Sequence, residues 1–201
     1  NKYLTVRDYM ELPKALLVGC GHGVGLELSK HLSKNYEITQ ISGSWDTRGM
    51  DSVETVANDF DLIVFNQNGG PLPNNLEDGV IDINQWNQTL FTNHQLPYYI
   101  MQKQSKSPKV IMVVTGFIRV NKEYPEQLRD YADQFRLYIG LKLMNVELMK
   151  MFSLHKDGIY CYLAPSFYKK TVDDMASDMY NTIMTIDESY NRKVFDETGT
   201  I

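Results

Sequence analysis

The chain has 201 residues, 43% of them hydrophobic and 22% charged, with a formal net charge of −5; one globular domain with a sizeable core accounts for such a make-up. The acidic balance and the lack of any basic run exclude the electrostatic footprint of a nucleic-acid binder, and no apolar stretch approaches the ~20 residues of a membrane span. Cys20 and Cys161 form no CxxC, and the four histidines (22, 31, 94 and 155) have no metal-ligand spacing, so reduced thiols, a cytoplasmic location and no metal site are expected.

Taken in chain order, strand-like runs fall at 15–19, 37–42, 61–66, 109–115, 158–163 and 192–196, with helical patterns near 23–33, 52–58, 84–104, 125–154 and 171–184. Alternation of this kind predicts a parallel sheet with helices on both faces. No low-complexity linker or internal repeat divides the chain, so residues 1–201 are read as one α/β domain with a doubly wound, Rossmann-like sheet.

The first unit is the most informative. Ala15-Leu-Leu-Val-Gly-Cys-Gly-His-Gly-Val-Gly-Leu-Glu-Leu-Ser-Lys-His-Leu32 runs from a strand through glycines 19, 21, 23 and 25 into a helix, with Leu26, Leu28 and Leu32 as its expected apolar face. Glycines let the backbone turn tightly and let a phosphate reach the amides at the helix N-terminus. Strand, glycine turn and helix in this order open a nucleotide-binding α/β fold.

After the second strand only Gly43 to Met50 precede Asp51. A parallel crossover takes a dozen or more residues, so this edge of the sheet is expected to be trimmed, with any strand there very short. Gly69-Gly-Pro-Leu-Pro73 marks a loop where the carboxyl end of the third clear strand should meet ligand. The 125–154 helix carries apolar groups on more than one face. One face must cover the sheet; the second is met either by the 84–104 helix and the C-terminal segment or by another copy of the chain.

Two families share a glycine turn of this type. Val18-Gly-Cys-Gly-His-Gly23 resembles the first motif of S-adenosylmethionine-dependent methyltransferases. That family usually has an acid two residues before the first glycine and another closing the second strand, where this chain has Leu17 and Ile41 or Ser42. With other spacing, Gly19-x-x-x-Gly23-x-Gly25 resembles the cofactor turn of the short-chain dehydrogenase/reductase family, and later landmarks follow in order over nearly the whole chain. Asp51 stands where that family places an adenine-contacting Asp. Asp61-Leu-Ile-Val-Phe-Asn-Gln-Asn-Gly69 resembles its strand ending in an Asn-rich turn, and Phe91-Thr-Asn93 its structural Asn. Val110-Ile-Met-Val-Val-Thr115 matches the strand that ends in the catalytic Ser, Tyr138-Ile-Gly-Leu-Lys142 matches YxxxK, and Gly158-Ile-Tyr-Cys-Tyr-Leu-Ala-Pro165 resembles the next strand and its Pro-Gly turn. A second YxxxK, Tyr99-Ile-Met-Gln-Lys103, precedes the Thr115 strand; the family's pair follows it, which selects Tyr138 and Lys142.

The resemblance implies NAD(P)-dependent reduction of a small ketone or aldehyde, or oxidation of the matching alcohol. Tyr138 would exchange the proton, Lys142 would favour its phenolate and hold the nicotinamide ribose, Thr115 would hydrogen-bond the carbonyl oxygen, and Asn93 would support the lysine through water. Four-residue spacing on a helix puts Tyr138 and Lys142 on one face. The implied cofactor contacts are Gly19, Gly21, His22, Gly23, Val24, Gly25, Ser42, Ser44, Arg48, Asp51, Asn68, Gly69 and Pro165. No acid closes the second strand to bind a 2′-hydroxyl, whereas Ser42, Ser44, Arg48 and His22 suit a 2′-phosphate, so NADP is expected ahead of NAD. The resemblance also implies a homo-oligomer through the 84–104 and 125–154 helices, and the short stretch after Ser166 a small substrate lid. Thr replaces Ser at 115, the stretch from 116 to 137 is longer than the family's, Ser166 follows Pro165 in place of Gly, and Val18 stands in place of Thr. A non-catalytic, dinucleotide-binding sensor or interaction protein therefore stands beside the enzyme, and a methyltransferase is the third reading.

Overall fold

The computed structural model describes residues 11–41, 59–67, 83–114, 140–147, 149–151, 153–154, 158–164, 171–196 and 198–200. Strands β1 (Lys14–Val18), β2 (Glu37–Ile41), β3 (Leu62–Phe65), β4 (Lys109–Val113), β5 (Tyr160–Leu163), β6 (Val194–Asp196) and β7 (Gly199–Thr200) form one sheet in the order β2-β1-β3-β4-β5-β6-β7. The first six are parallel and β7 returns antiparallel to β6. Strands β1 to β6 lie within two residues of the predicted runs, whereas β7 was not predicted, and every residue of β3 and β5 is buried, as a strand covered on both faces requires. Among the described residues β2 forms one edge of the sheet and β7 the other, and the first four positions of β2 are exposed or half-buried. The trimmed segment expected at 43–50 lies outside the described residues.

The two faces of the sheet are covered by different helices. Ala15, Leu17, Leu62, Val64, Ile111, Val113, Cys161, Leu163 and Phe195 meet α1 (Gly23–Leu32) on one side through Leu28 and Leu32. The last long helix, which runs over Val172–Thr185, joins them there through Ala176, Met179 and Ile183. Alternate strand residues, Leu16, Val18, Ile63, Phe65, Val110, Met112, Tyr160 and Tyr162, face the other way. They meet Leu96, Ile100 and Met101 of one helical segment and Val146 and Met149 of another. This is the doubly wound arrangement, with the chain reversing direction across the sheet between β1 and β3.

One expectation fails in α1. Leu26 is 37% exposed and does not face the sheet; the buried stripe is Gly25, Leu28, Ser29 and Leu32. Those four recur at the i, i+3, i+4, i+7 spacing of a single helix face, and Leu26 lies about 100° away from it. A second difference lies in the 84–104 pattern. It is not one uniform helix but α2 (Ile83–Leu90), a five-residue π-turn (Phe91–Gln95) and α3 (Leu96–Lys103). The Leu96 amide reaches back to the carbonyl of Phe91, one residue further than in an α-helix. Of the predicted 125–154 helix, residues 140–147 and 149–151 are described as helix; we call this α4, and the helix over Val172–Thr185 α5. Among the described residues no helix is long and apolar enough to cross a membrane.

Candidate active site

The carboxyl ends of β1 and β3 bring the glycine turn against the end of the next strand. Gly19 has φ +76°, and a Cβ there would lie 2.5 Å from the Cα of Gln67, so the turn passes too close to that backbone for any side chain. Asn66 donates through Nδ2 to the carbonyl of Gly19 at 3.3 Å, and a Cβ on Gly25 would lie 2.6 Å from that same nitrogen and 2.7 Å from the Cα of Cys20. The backbone amide of Asn66 donates to the carbonyl of Val18 and that of Gly19 to Ile41. Glycines 19 and 25 thus close the turn onto β3.

Gly23 differs: it has φ +55°, and a Cβ there would meet nothing within 4 Å. Gly21, His22 and Gly23 are exposed, and Val24 is half-buried. His22 caps α1 with its backbone but makes no side-chain cap, and the first turn of α1 holds no acidic residue. The first amides of the helix therefore keep their capacity for an anion. Cys20 is buried in the turn, and burial pushes its thiol up to about 12, which leaves it a packing residue.

The lysine selected from sequence arrives at the same place. Lys142 lies in α4, is 2% exposed, and donates from Nζ to the main-chain carbonyl of Gln67 at 2.7 Å. Complete burial lowers its pKa from 10.5 to about 7. Gln67 also ties this point to the π-turn, donating from Nε2 to the carbonyl of Thr92 at 3.2 Å. Thr92 and Asn93 each fold back on the preceding helical turn, Thr92 to the carbonyl of Gln88 and Asn93 to that of Thr89, both at 2.9 Å. Asn93 is 1% exposed, and its Oδ1 has no hydrogen-bond partner among the described residues. The π-turn, the end of β3, the glycine turn and Lys142 thus converge through Gln67.

The competing pair is placed elsewhere. Tyr99 is 45% exposed, and Lys103 ends α3 ahead of β4, at the amino ends of the strands. Lys103 is half-buried, whereas Lys142 is buried. Of the other site residues expected from sequence, Tyr138, Thr115, Ser42, Ser44, Arg48, Asp51, Asn68, Gly69 and Pro165 lie outside the described residues. Sequence reasoning missed Gln67 as the partner of the lysine. Its signal was its place in Asn66-Gln67-Asn68-Gly69 at the carboxyl end of β3, but the atom involved is a backbone oxygen, which every residue carries.

No protein-family model matches the sequence, and no curated protein matches it. Solved structures do match the fold. A carbonyl reductase from Pseudomonas aeruginosa PAO1, crystallised in complex with NADP, superposes with a TM-score of 0.69 at 14% identity, covering 94% of this chain and 98% of that one. A short-chain dehydrogenase/reductase from Serratia marcescens gives 0.67 at 12% identity over 92% and 95% of the two chains. An alcohol dehydrogenase from Comamonas testosteroni, specific for bulky-bulky ketones, gives 0.67 at 12% identity over 94% and 87%. The chain has the fold of these short-chain dehydrogenases and reductases over nearly its whole length.

Proposed function

We propose that the chain is an NADP-dependent oxidoreductase of the short-chain dehydrogenase/reductase type, which reduces a small ketone or aldehyde or oxidises the matching alcohol. The observation that carries this reading is Lys142. A lysine buried to this degree is costly, and its ammonium is held by a backbone carbonyl beside a glycine turn with open anion capacity. Such a perturbed cation at the carboxyl ends of a doubly wound sheet is the kind of group that chemistry retains.

The residues present fit a dinucleotide. Gly19, Gly21, His22, Gly23, Val24 and Gly25 would hold its pyrophosphate against the first turn of α1, with Gly23 leaving the space above it open. Ser42, Ser44 and Arg48 would receive a 2′-phosphate, Asp51 would contact the adenine, and Asn68, Gly69 and Pro165 would line the remaining walls. When bound, the nicotinamide supplies or takes up the hydride. Tyr138 exchanges the proton at the substrate oxygen; at its ordinary pKa of ~10 it needs a cation nearby, and Lys142 in its ammonium form provides one. Thr115 donates a hydrogen bond to the oxygen as charge develops on it. Asn93 holds the π-turn that seats Gln67.

The second apolar surface of the lysine helix supports a homo-oligomer. Met144 and Met151 on α4 and Tyr98 and Tyr99 on α3 are all at least 42% exposed, and a second copy would cover them. Cys20 and Cys161 are both free and buried, which suits a reducing compartment such as the cytoplasm.

Calorimetric titration of the protein with NADPH, NADH and S-adenosylmethionine, followed by a panel of carbonyl substrates, tests this function. NADPH binding with turnover is expected. Binding of S-adenosylmethionine alone would overturn the reading, and dinucleotide binding without turnover would leave a sensor.

A further inference from the structure

The helix of Lys142 and the π-turn meet at a second polar point that the proposed reaction does not use. His94 lies in the π-turn and Asn145 one turn beyond Lys142 on α4; they are 8% and 2% exposed. Asn145 is close enough to act on the imidazole as a hydrogen-bonding group, and Lys142 is the cation that acts on it. Yet among the described residues neither ring nitrogen of His94 nor the Nδ2 of Asn145 has a hydrogen-bond partner. Three buried polar atoms, on the π-turn and on α4, are thus left unanswered among the described residues. Polar atoms in that condition are expensive, and buried waters, each taking two to four hydrogen bonds, are the usual answer.

We propose that His94 and Asn145 hold a small internal water cluster between the π-turn and α4, and that this wet bridge positions Lys142. The proposal rests on the reading of Lys142 as the catalytic cation. One water accepts from Asn145 Nδ2 and donates to the unprotonated ring nitrogen; a second accepts from the ring N–H. The imidazole must stay neutral for this, and burial, with Lys142 adding to it against the opposing effect of Asn145, holds its pKa below the ordinary value. The π-turn supplies the geometry, since its extra residue lets Asn93 and His94 both point inward from adjacent positions. His94 and Asn145 are positioning residues; they act on substrate only through the lysine.

A high-resolution crystal structure of the wild-type protein and nitrogen-15 spectra of its histidines are the first test. Ordered water between His94 and Asn145, with a neutral imidazole of fixed tautomer at neutral pH, is expected. A direct His94–Asn145 bond with no water between them would overturn the proposal. His94→Phe and Asn145→Leu, which expel the water, are expected to lower kcat about tenfold and to shift the pH profile of kcat, while KM for NADPH changes less than about twofold. His94→Gln, which keeps a polar partner for the water, should restore most of kcat and covers the case in which the Phe variant does not fold. Unchanged kcat and pH profile in Asn145→Leu, and in His94→Phe where it folds, would sink the positioning role. If the wild-type protein binds no dinucleotide, the oxidoreductase reading fails, and the water site is decided by the crystal structure and spectra alone.

Discussion

The ammonium of Lys142 is held at 2.7 Å by the main-chain carbonyl of Gln67, the residue whose Cα leaves no room for a side chain on Gly19. A single residue at the end of β3 therefore fixes both the closest turn of the glycine loop and the depth of the lysine. The cation of the proposed chemistry and the seat of the proposed cofactor share one backbone anchor.

Lys142→Met separates stability from activity. The folded lysine titrates at about 7, against 10.5 ordinarily. Between those values the unfolded chain binds a proton that the folded chain does not, so stability rises with pH through that window; below about 7 both states are protonated and the burial penalty is felt in full. Loss of the Gln67 contact costs roughly 1 kcal/mol, less than the several kcal/mol of removing a charge from water. Thermal melts should show Lys142→Met more stable than wild type at pH 6, with the gain shrinking by pH 9. Its turnover should fall about 10²- to 10⁴-fold. A gain that grows with pH would mean that the lysine is not buried as charge.

Glycines that close the turn should respond differently from the glycine that faces ligand. Gly19→Ala and Gly25→Ala each place a Cβ under 3.0 Å from backbone, and Gly19 adds positive-φ strain, so losses of about 3 kcal/mol or more, or failure to fold, are expected. Gly23→Ala meets nothing and should lose only the ~1–2 kcal/mol of a left-handed non-glycine residue, while NADPH affinity falls about tenfold or more. Denaturant titration beside calorimetry reads both. Equal loss of stability in all three variants would remove Gly23 from the cofactor site.

Much of this was legible from the chain because the signals were side chains at a fixed period. Strand and helix alternation located β1 to β6 to within two residues but not the two-residue β7. What stayed hidden was carried by backbone or by a change of period. The π-turn at Phe91–Gln95 has the residue types of an ordinary helix, and the Gln67 carbonyl is an atom without a sequence signature. Leu26 was misplaced because hydrophobicity alone was read where the position on the helix decides: Gly25 and Ser29 share the buried stripe with Leu28 and Leu32, and Leu26 does not.

The exposed apolar groups of α3 and α4 predict self-association. Tyr99→Glu combined with Met151→Glu places charges on positions 45% and 64% exposed in the single chain, so the fold should keep its melting temperature to within a few degrees. Sedimentation should show the wild type as a dimer or larger and the double variant as a monomer. A monomeric wild type would leave these residues as ordinary surface.

Tyr138→Phe asks whether the proposed acid–base group is chemical or structural. Removing one hydroxyl keeps the ring and its packing, so NADPH should bind within about twofold of wild type while turnover on the carbonyl panel drops at least about 10²-fold. Retained turnover would move the proton exchange to another residue and reopen the choice between Tyr138 and a core tyrosine.

Cofactor preference gives the last test, and it turns on what is missing at the end of β2. The strand closes on Ile41, and the next residue is Ser42; neither carries the carboxylate that would hold a 2′-hydroxyl and repel a 2′-phosphate. A phosphate there needs a donor, and Arg48 offers a planar fork of N–H groups suited to it, with Ser44 four residues before it in the chain. Arg48→Ala should weaken NADPH about tenfold or more and leave NADH within about twofold, since only the phosphate is lost as a partner. Ser42→Asp, which supplies the missing carboxylate, should reverse the preference by strengthening NADH and repelling NADPH. Equal effects of Arg48→Ala on both dinucleotides would place Arg48 away from the 2′ position, and indifference of both cofactors to Ser42→Asp would show that this strand end does not read the ribose.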